Sequence, residues 1–115
     1  MSEITEEIMV SEEEVARLAH EAALDTKGIS ATVPGITDAI NKNILGKSAE
    51  LDGIRVDVED GLVSLELYVE VVYGVKIPSA AWKLQENVKK RIEQETGYKV
   101  DRVNVHVQRV RFGAE

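Results

Sequence analysis

The chain of 115 residues contains no cysteine, only one tryptophan and only one phenylalanine. The absence of cysteine excludes disulfide bonds and thiolate metal sites, and it fits a reducing compartment such as the cytosol. Because aromatic side chains are so few, the core has to be built mostly from Val, Ile, Leu and Ala. The length is near the usual domain size, so we expect a single domain over residues 1–115.

Long apolar runs are also absent, and none approaches the roughly 20 residues that a membrane-spanning helix needs. The first residues, MSEITEEIMVSEEE, are acidic, whereas a secretory signal begins basic and then becomes apolar. The formal net charge of −7 opposes binding to nucleic-acid phosphates and direct docking on anionic lipid. We therefore expect a cytoplasmic protein that binds no nucleic acid, does not insert into the membrane, and reaches the membrane only through a partner.

The sequence contains no residue pattern typical of catalysis or of metal binding. His20 and His106 lack the spacing of a metal site, so we interpret both as surface residues. Glu66 and Glu70 share a strand face but lie about 13 Å apart by strand geometry. Since paired catalytic carboxylates lie within roughly 10 Å of each other, we interpret these two as solvated residues. We expect no enzyme activity, no cofactor and no metal.

The clearest pattern is the run LVSLELYVEVVY at residues 62–73, in which apolar and polar side chains alternate. Strict alternation predicts a long, half-buried strand. Residues 54–59 alternate in the same way, and the pair Asp60-Gly61 between the two runs predicts a β-hairpin. A third alternating run predicts the last strand, with Val103, Val105 and Val107 on its apolar face.

Two helices are predicted around these strands. Ser11 is expected to cap the first helix, Glu14 to complete a capping box, and Gly28 to end the helix. Pro78 and Ser79 predict the start of the second helix, through Ser79 as N-cap or Pro78 in the first turn. Its expected apolar stripe consists of Ala81, Leu84, Val88 and Ile92, and Gly97 ends it.

The first ten residues and the middle of the chain give weaker signals. Residues 1–10 are interpreted as a flexible or edge arm, and residues 30–52 as a variable connection. A short extended piece is predicted at residues 29–33, at the start of the second region, and a short helix at residues 37–45 within it. Residues 46–53 are expected to form a loop.

These elements predict an α+β fold with a small mixed β-sheet. A hairpin is followed by a crossover helix that returns the last strand parallel to the long one, and both main helices pack on one face. The other face is polar and is either solvated or an interface. The candidate protein-contact surface comprises Glu66, Tyr68, Glu70, Val72 and Trp82.

Three features of residues 53–112 occur together in one known family. They are the long strand closing on Tyr73-Gly74, the helix ending in Glu95-Thr96-Gly97, and the last strand opening with Val103-Asn104-Val105. With the upstream run SEEEVARLAHEAALDTKGI, they make the chain resemble the alkaline shock protein family of Gram-positive bacteria, the envelope stress response proteins.

The resemblance implies a non-enzymatic cytoplasmic protein that serves as a self-associating scaffold or adaptor in envelope stress. Members of the family are held near the cell membrane by a membrane-anchored partner, so a homo-oligomer and such a partner are expected here. Other members imply an alternative, a cytosolic regulator that binds an enzyme of fatty-acid or lipid metabolism. The resemblance assigns no site residue.

Overall fold

The computed structural model of the protein describes residues 10–34 and 48–112, with residues 48–50 described by their backbone alone. Its helices are α1 (Glu12–Leu24) and α2 (Ile77–Thr96). Its strands are β1 (Ile29–Thr32), β2 (Ser48–Leu51), β3 (Ile54–Glu59), β4 (Leu62–Val72) and β5 (Lys99–Arg111). The strands form one mixed sheet, which confirms the predicted α+β class.

The long strand β4 is the centre of the sheet and is paired along both edges. On one edge β3 pairs antiparallel with residues 62–67, and β1 pairs antiparallel with residues 69–71 farther along. On the other edge β5 runs parallel to residues 62–72 after the crossover through α2, as predicted. Asp60 and Gly61 have φ of 56° and 75°, the left-handed pair that a two-residue hairpin turn requires.

One core lies between the sheet and the two helices. Alternate residues of β3 and β4 point into it, because successive side chains of a strand face opposite sides. The alanine-rich stripe of α1 and the aliphatic stripe of α2 cover them. The largest fully buried side chains are Ile54, Leu65, Leu67, Leu84, Ile92, Val15, Val56, Val63, Val69, Val71 and Val88. Burial of each contributes roughly 1.5–3 kcal/mol relative to exposure.

The start of α1 follows the predicted cap in part. Ser11 Oγ accepts a hydrogen bond from the Glu14 N–H at 3.1 Å, so Ser11 is the N-cap. The carboxylate of Glu14 instead pairs with Arg17, so the contact that would complete a capping box is replaced by an ion pair. The helix ends at Leu24, earlier than predicted, and Gly28 adopts φ of +95° in the turn to β1.

The start of α2 differs from one of the two predicted alternatives. Lys76 is the N-cap residue and Pro78 lies in the first turn, so Ser79 is not the cap. Pro78 fits there because the first-turn N–H groups of a helix have no intrahelical partner. The buried stripe begins at Ala80, and Ala81, predicted to lie on it, is only half-buried.

The prediction of a loop over residues 46–53 is wrong for Ser48–Leu51, which form β2. β2 pairs antiparallel with β3, and the connection uses Asp52 and Gly53 with φ of 52° and 85°, the same turn chemistry as the next hairpin. β1 confirms the short extended piece. The predicted helix at residues 37–45, and the predicted arm apart from Val10, lie outside the described residues.

Candidate protein-contact surface

The face of the sheet opposite the helices, called the outer face below, carries the polar side chains of β3, β4 and β5. Within the described residues no helix covers it. Its members are Arg55, Asp57, Ser64, Glu66, Tyr68, Glu70, Arg102, Asn104, His106, Arg109 and Arg111.

Two irregularities in β5 decide which of its side chains reach the outer face. The pairing with β4 shifts register twice, and Asp101 and Gln108 are the extra residues. An extra residue on one strand reverses the facing of everything after it. The shift at Gln108 therefore brings Arg109 and Arg111 to the outer face, where regular alternation after Val107 would have turned them toward the core.

Glu66 lies at the middle of the outer face and is bound from β5. Its Oε1 lies 2.6 Å from Nε2 of His106, and its Oε2 accepts a hydrogen bond from Nδ2 of Asn104 at 3.1 Å. Partial burial by itself raises the pKa of Glu66, but the hydrogen bonds from His106 and Asn104 and the charge of Arg55 outweigh it and lower the pKa. The carboxylate is thus ionised at neutral pH, and the Nε2–H of His106 donates to it.

The aromatic ring of Tyr68 stacks on the imidazole of His106 across the β4–β5 pair. The ring centroids lie 4.5 Å apart, and the ring planes differ by 11°. Because the carboxylate of Glu66 also binds Nε2 of His106, all three side chains are fixed relative to one another. The Glu66–Tyr68–His106 group is therefore an ordered patch that contains two aromatic rings.

Glu70 lies at one end of the outer face and is 8% exposed. Its Oε1 accepts hydrogen bonds from Ser30 Oγ at 2.7 Å and from Arg111 Nε at 3.1 Å, and Arg109 Nε lies 3.4 Å from Oε2. The Ser30 hydrogen bond, which outweighs the cost of burial, and the two arginines lower the pKa of Glu70. The interpretation of Glu66 and Glu70 as solvated residues is therefore wrong, because the register of β5 and β1 supplies both with partners.

The structure brings together only part of the predicted contact surface. Glu66, Tyr68 and Glu70 are neighbours on the outer face. Val72 is half-buried at the end of β4, where it lines a cavity with residues of α2. Trp82 is 60% exposed on α2, on the helical side of the molecule, and is not part of the outer face.

Sequence reasoning missed the partners of Glu66 and Glu70. Ser30 comes from a strand 40 residues away and carries no local signal. Arg109 and Arg111 did carry one, because they continue the apolar positions of β5 with charged residues. That break in the pattern signals an extra residue in the strand.

The remaining histidine and the acidic residues form no metal site in the part of the chain that is described. His20 Nδ1 lies 3.2 Å from Thr32 Oγ1, and His106 is bound by Glu66. Over residues 10–34 and 48–112, no three histidine or carboxylate side chains converge as metal ligands would. Neither α1 nor α2 has the length and apolar composition needed to cross a membrane.

Comparison with known proteins gives the family. A family model, that of alkaline shock protein 23 with a cell envelope-related function, matches residues 1–112. The uncharacterized protein YloU of Bacillus subtilis is 36% identical over 107 residues, which cover 91% of this chain and 88% of YloU. The uncharacterized protein Spy1614 of Streptococcus pyogenes is 30% identical over 110 residues, which cover 94% of this chain and 90% of Spy1614.

A more distant likeness exists among solved structures. A MamM CTD superposes with a TM-score of 0.49 at 12% identity, over 84% of this chain and 94% of that chain. Such a likeness carries no functional argument. The sequence matches confirm the resemblance found from the motifs. The chain belongs to the alkaline shock protein 23 family, a family with a cell envelope-related function.

Proposed function

We propose that this protein is a non-enzymatic scaffold that self-associates and is held near the cell membrane by a membrane-anchored partner. The outer face is its contact surface, with the Glu66–Tyr68–His106 group at the centre. The observation that carries this proposal is the fixed geometry of that group on a sheet face that no described helix covers. The cell envelope-related function of the family supports the setting.

A preordered patch is suited to binding because fewer side-chain rotamers are lost when a partner docks. Tyr68 and His106 present stacked rings, and aromatic anchors carry a large share of the binding energy in protein interfaces. The hydrogen bonds on Glu66 reduce the number of buried polar groups that docking would leave without partners. These features favour a protein contact over a reaction, because the carboxylate is already bound by neighbouring side chains.

The charges of the outer face also suit a second copy of this chain. Arg102 is well exposed at one end of the Glu66–Tyr68–His106 group, and Asp57 on β3 is exposed near it. In a symmetric dimer each residue of one copy meets a different residue of the other, so a surface bearing both signs can be self-complementary. A cytoplasmic scaffold that assembles through this face needs no catalytic group.

The test is the association state of the full chain together with its location in the cell. We expect the wild type to associate with rising concentration in analytical ultracentrifugation and to be recovered partly with the membrane fraction. Tyr68→Ala should weaken self-association by about tenfold or more, as for a central aromatic anchor. Lys89→Gln, an exposed change on α2, is the matched control and should leave association unchanged.

Two outcomes would overturn the proposal. One is a wild type that stays monomeric over the whole concentration range. The other is a pull-down from the native host that recovers an enzyme of fatty-acid synthesis, with no membrane protein, equally with the wild type and with Tyr68→Ala. That second result would favour the alternative of a cytosolic regulator acting through another surface.

A further inference from the structure

A cavity lies at the end of the sheet where β4 leads into α2, away from the Glu66–Tyr68–His106 group. Its volume is about 480 Å³, within the range of roughly 300–1,000 Å³ typical of small-molecule sites. It opens to solvent, and three segments line it: the turn before β1, the end of β4 with the following turn, and the first two turns of α2. The lining residues are Lys27, Gly28, Val72, Val75, Lys76, Ser79, Ala80 and Lys83.

The interior of the cavity is apolar. Val72, Val75 and Ala80 provide hydrocarbon surface, and the backbone at Gly28 closes one side. Gly28 has φ of +95°, and a Cβ on it would lie 3.3 Å from Val75 Cγ1, so a residue without a side chain is what lets this turn pack so closely. A ligand with a hydrocarbon portion would remove this surface from water.

Three lysines surround the apolar interior. Lys27 lies in the turn before β1, whereas Lys76 and Lys83 both lie at the start of α2, and all three are exposed. No described acidic residue forms an ion pair with any of them, and no acid occupies the first turn of α2. Three like charges converge here on a chain whose net charge is −7, so the local charge of the cavity opposes that of the whole molecule.

We propose that this cavity binds a single-chain anionic amphiphile, such as a fatty-acid carboxylate. The hydrocarbon chain lies against Val72, Val75 and Ala80, and the anionic head lies among the lysines. A soluble anion alone would not use the apolar interior. A flat lipid surface would reach the lysines but would not fill a concave site.

The inference rests on the cavity alone and is independent of the scaffold role proposed above. It also qualifies the conclusion drawn from net charge. An overall negative charge opposes docking on an extended anionic surface. A single anion inside a cavity responds mainly to the nearest charges, because salt largely screens charges that lie more than about 10 Å away.

The experiment is calorimetric titration of the full chain with decanoate below its micelle concentration. Decyl phosphate and decanol serve as chain-matched ligands with a different anion and with no charge. We expect saturable one-to-one binding of decanoate, of decyl phosphate or of both, and their relative affinities identify the preferred head group. Decanol, which has no charge, should bind at least about tenfold more weakly. Hexanoate should bind at least about tenfold more weakly than decanoate, because each methylene removed from water contributes up to roughly 0.8 kcal/mol.

The double variant Lys76→Gln/Lys83→Gln should weaken binding of decanoate by about tenfold, as expected for two exposed charge contacts. Lys89→Gln, on the same helix but outside the cavity, should change it by less than about twofold. The proposal would be overturned by the absence of saturable binding of either anion, by equal affinity for hexanoate and decanoate, or by binding only to phosphatidylglycerol vesicles. A double variant that still binds like the wild type would overturn it as well, and circular dichroism verifies that each variant is folded.

Discussion

Deleting Gln108 should be almost harmless, although it shortens a strand of the sheet by one residue. Gln108 is the extra residue between Val107, paired with Val69, and Arg109, paired with Glu70. Without it, regular alternation from Val107 would still turn Arg109 to the outer face. The ion pairs at Glu70 and the inward facing of the valines would both survive.

Deleting Asn104, in the regular part of the same strand, is the matched comparison. It would turn Val105 and Val107 outward and His106 inward, because a shift of one residue exchanges the two faces. The two half-buried valines lose about 1 kcal/mol each, and the hydrogen bonds from His106 and Asn104 to Glu66 contribute about 1 kcal/mol each, so the expected loss is roughly 4 kcal/mol. Deletion of Gln108 should cost less than about 1 kcal/mol.

Urea unfolding, monitored by far-ultraviolet circular dichroism, gives the free energy of unfolding of each variant. The m-value should stay constant if both deletions leave the fold intact. Equal destabilisation by the two deletions would refute this role of Gln108, because the extra residue would then have a packing role of its own. Comparable loss of the Tyr68–His106 stacking in both variants, detected by NMR, would refute it as well.

Three further changes test other parts of the structure. Gly53→Ala should destabilise the fold by about 2–4 kcal/mol in urea unfolding, because a Cβ would lie 2.4 Å from the Val33 carbonyl oxygen. Gly61→Ala is the control: a Cβ there has open space, so the change should cost only about 1 kcal/mol for its positive φ. Equal losses in the two variants would contradict this. Leu65→Ala, at a fully buried site of β4, should cost about 2–5 kcal/mol in the same assay. Because folding lowers the pKa of Glu70, the ionised side chain stabilises the fold at pH values above its ordinary pKa of 4.5, and this stabilisation is lost as the pH falls through the lower pKa of the folded state. Glu70→Gln should therefore make the free energy of unfolding decrease less steeply with falling pH below pH 4.5. A pH dependence equal to that of the wild type would contradict this.

The sequence was sufficient for those parts of the fold that depend on local patterns. Asp60-Gly61 predicted the hairpin because the turn needs two left-handed residues, and alternation predicted β4 to within one residue. The strand β2 was missed although Asp52-Gly53 carries the same turn signal. Its four residues are too few to show a period, and it is defined by pairing with β3 instead.

The candidate site was less predictable, because its geometry depends on registers between strands. Glu66 and Glu70 were located correctly on one face of β4, but whether a carboxylate is solvated depends on what the neighbouring strands place beside it. The extra residue at Gln108 and the pairing of β1 with β4 supply Arg111 and Ser30 to Glu70. Neither register has a signature within β4 itself.

The pairing of β4 along both edges has a consequence for how the protein opens. The amides of β4 bond alternately to β5 on one side and to β3 or β1 on the other, so no single neighbouring strand can leave and expose them all. Exchange of all these amides with solvent deuterium therefore requires the cooperative opening of β1, β3 and β5. We therefore expect β4 to exchange more slowly than the other described strands, with a protection that reports the global free energy of unfolding.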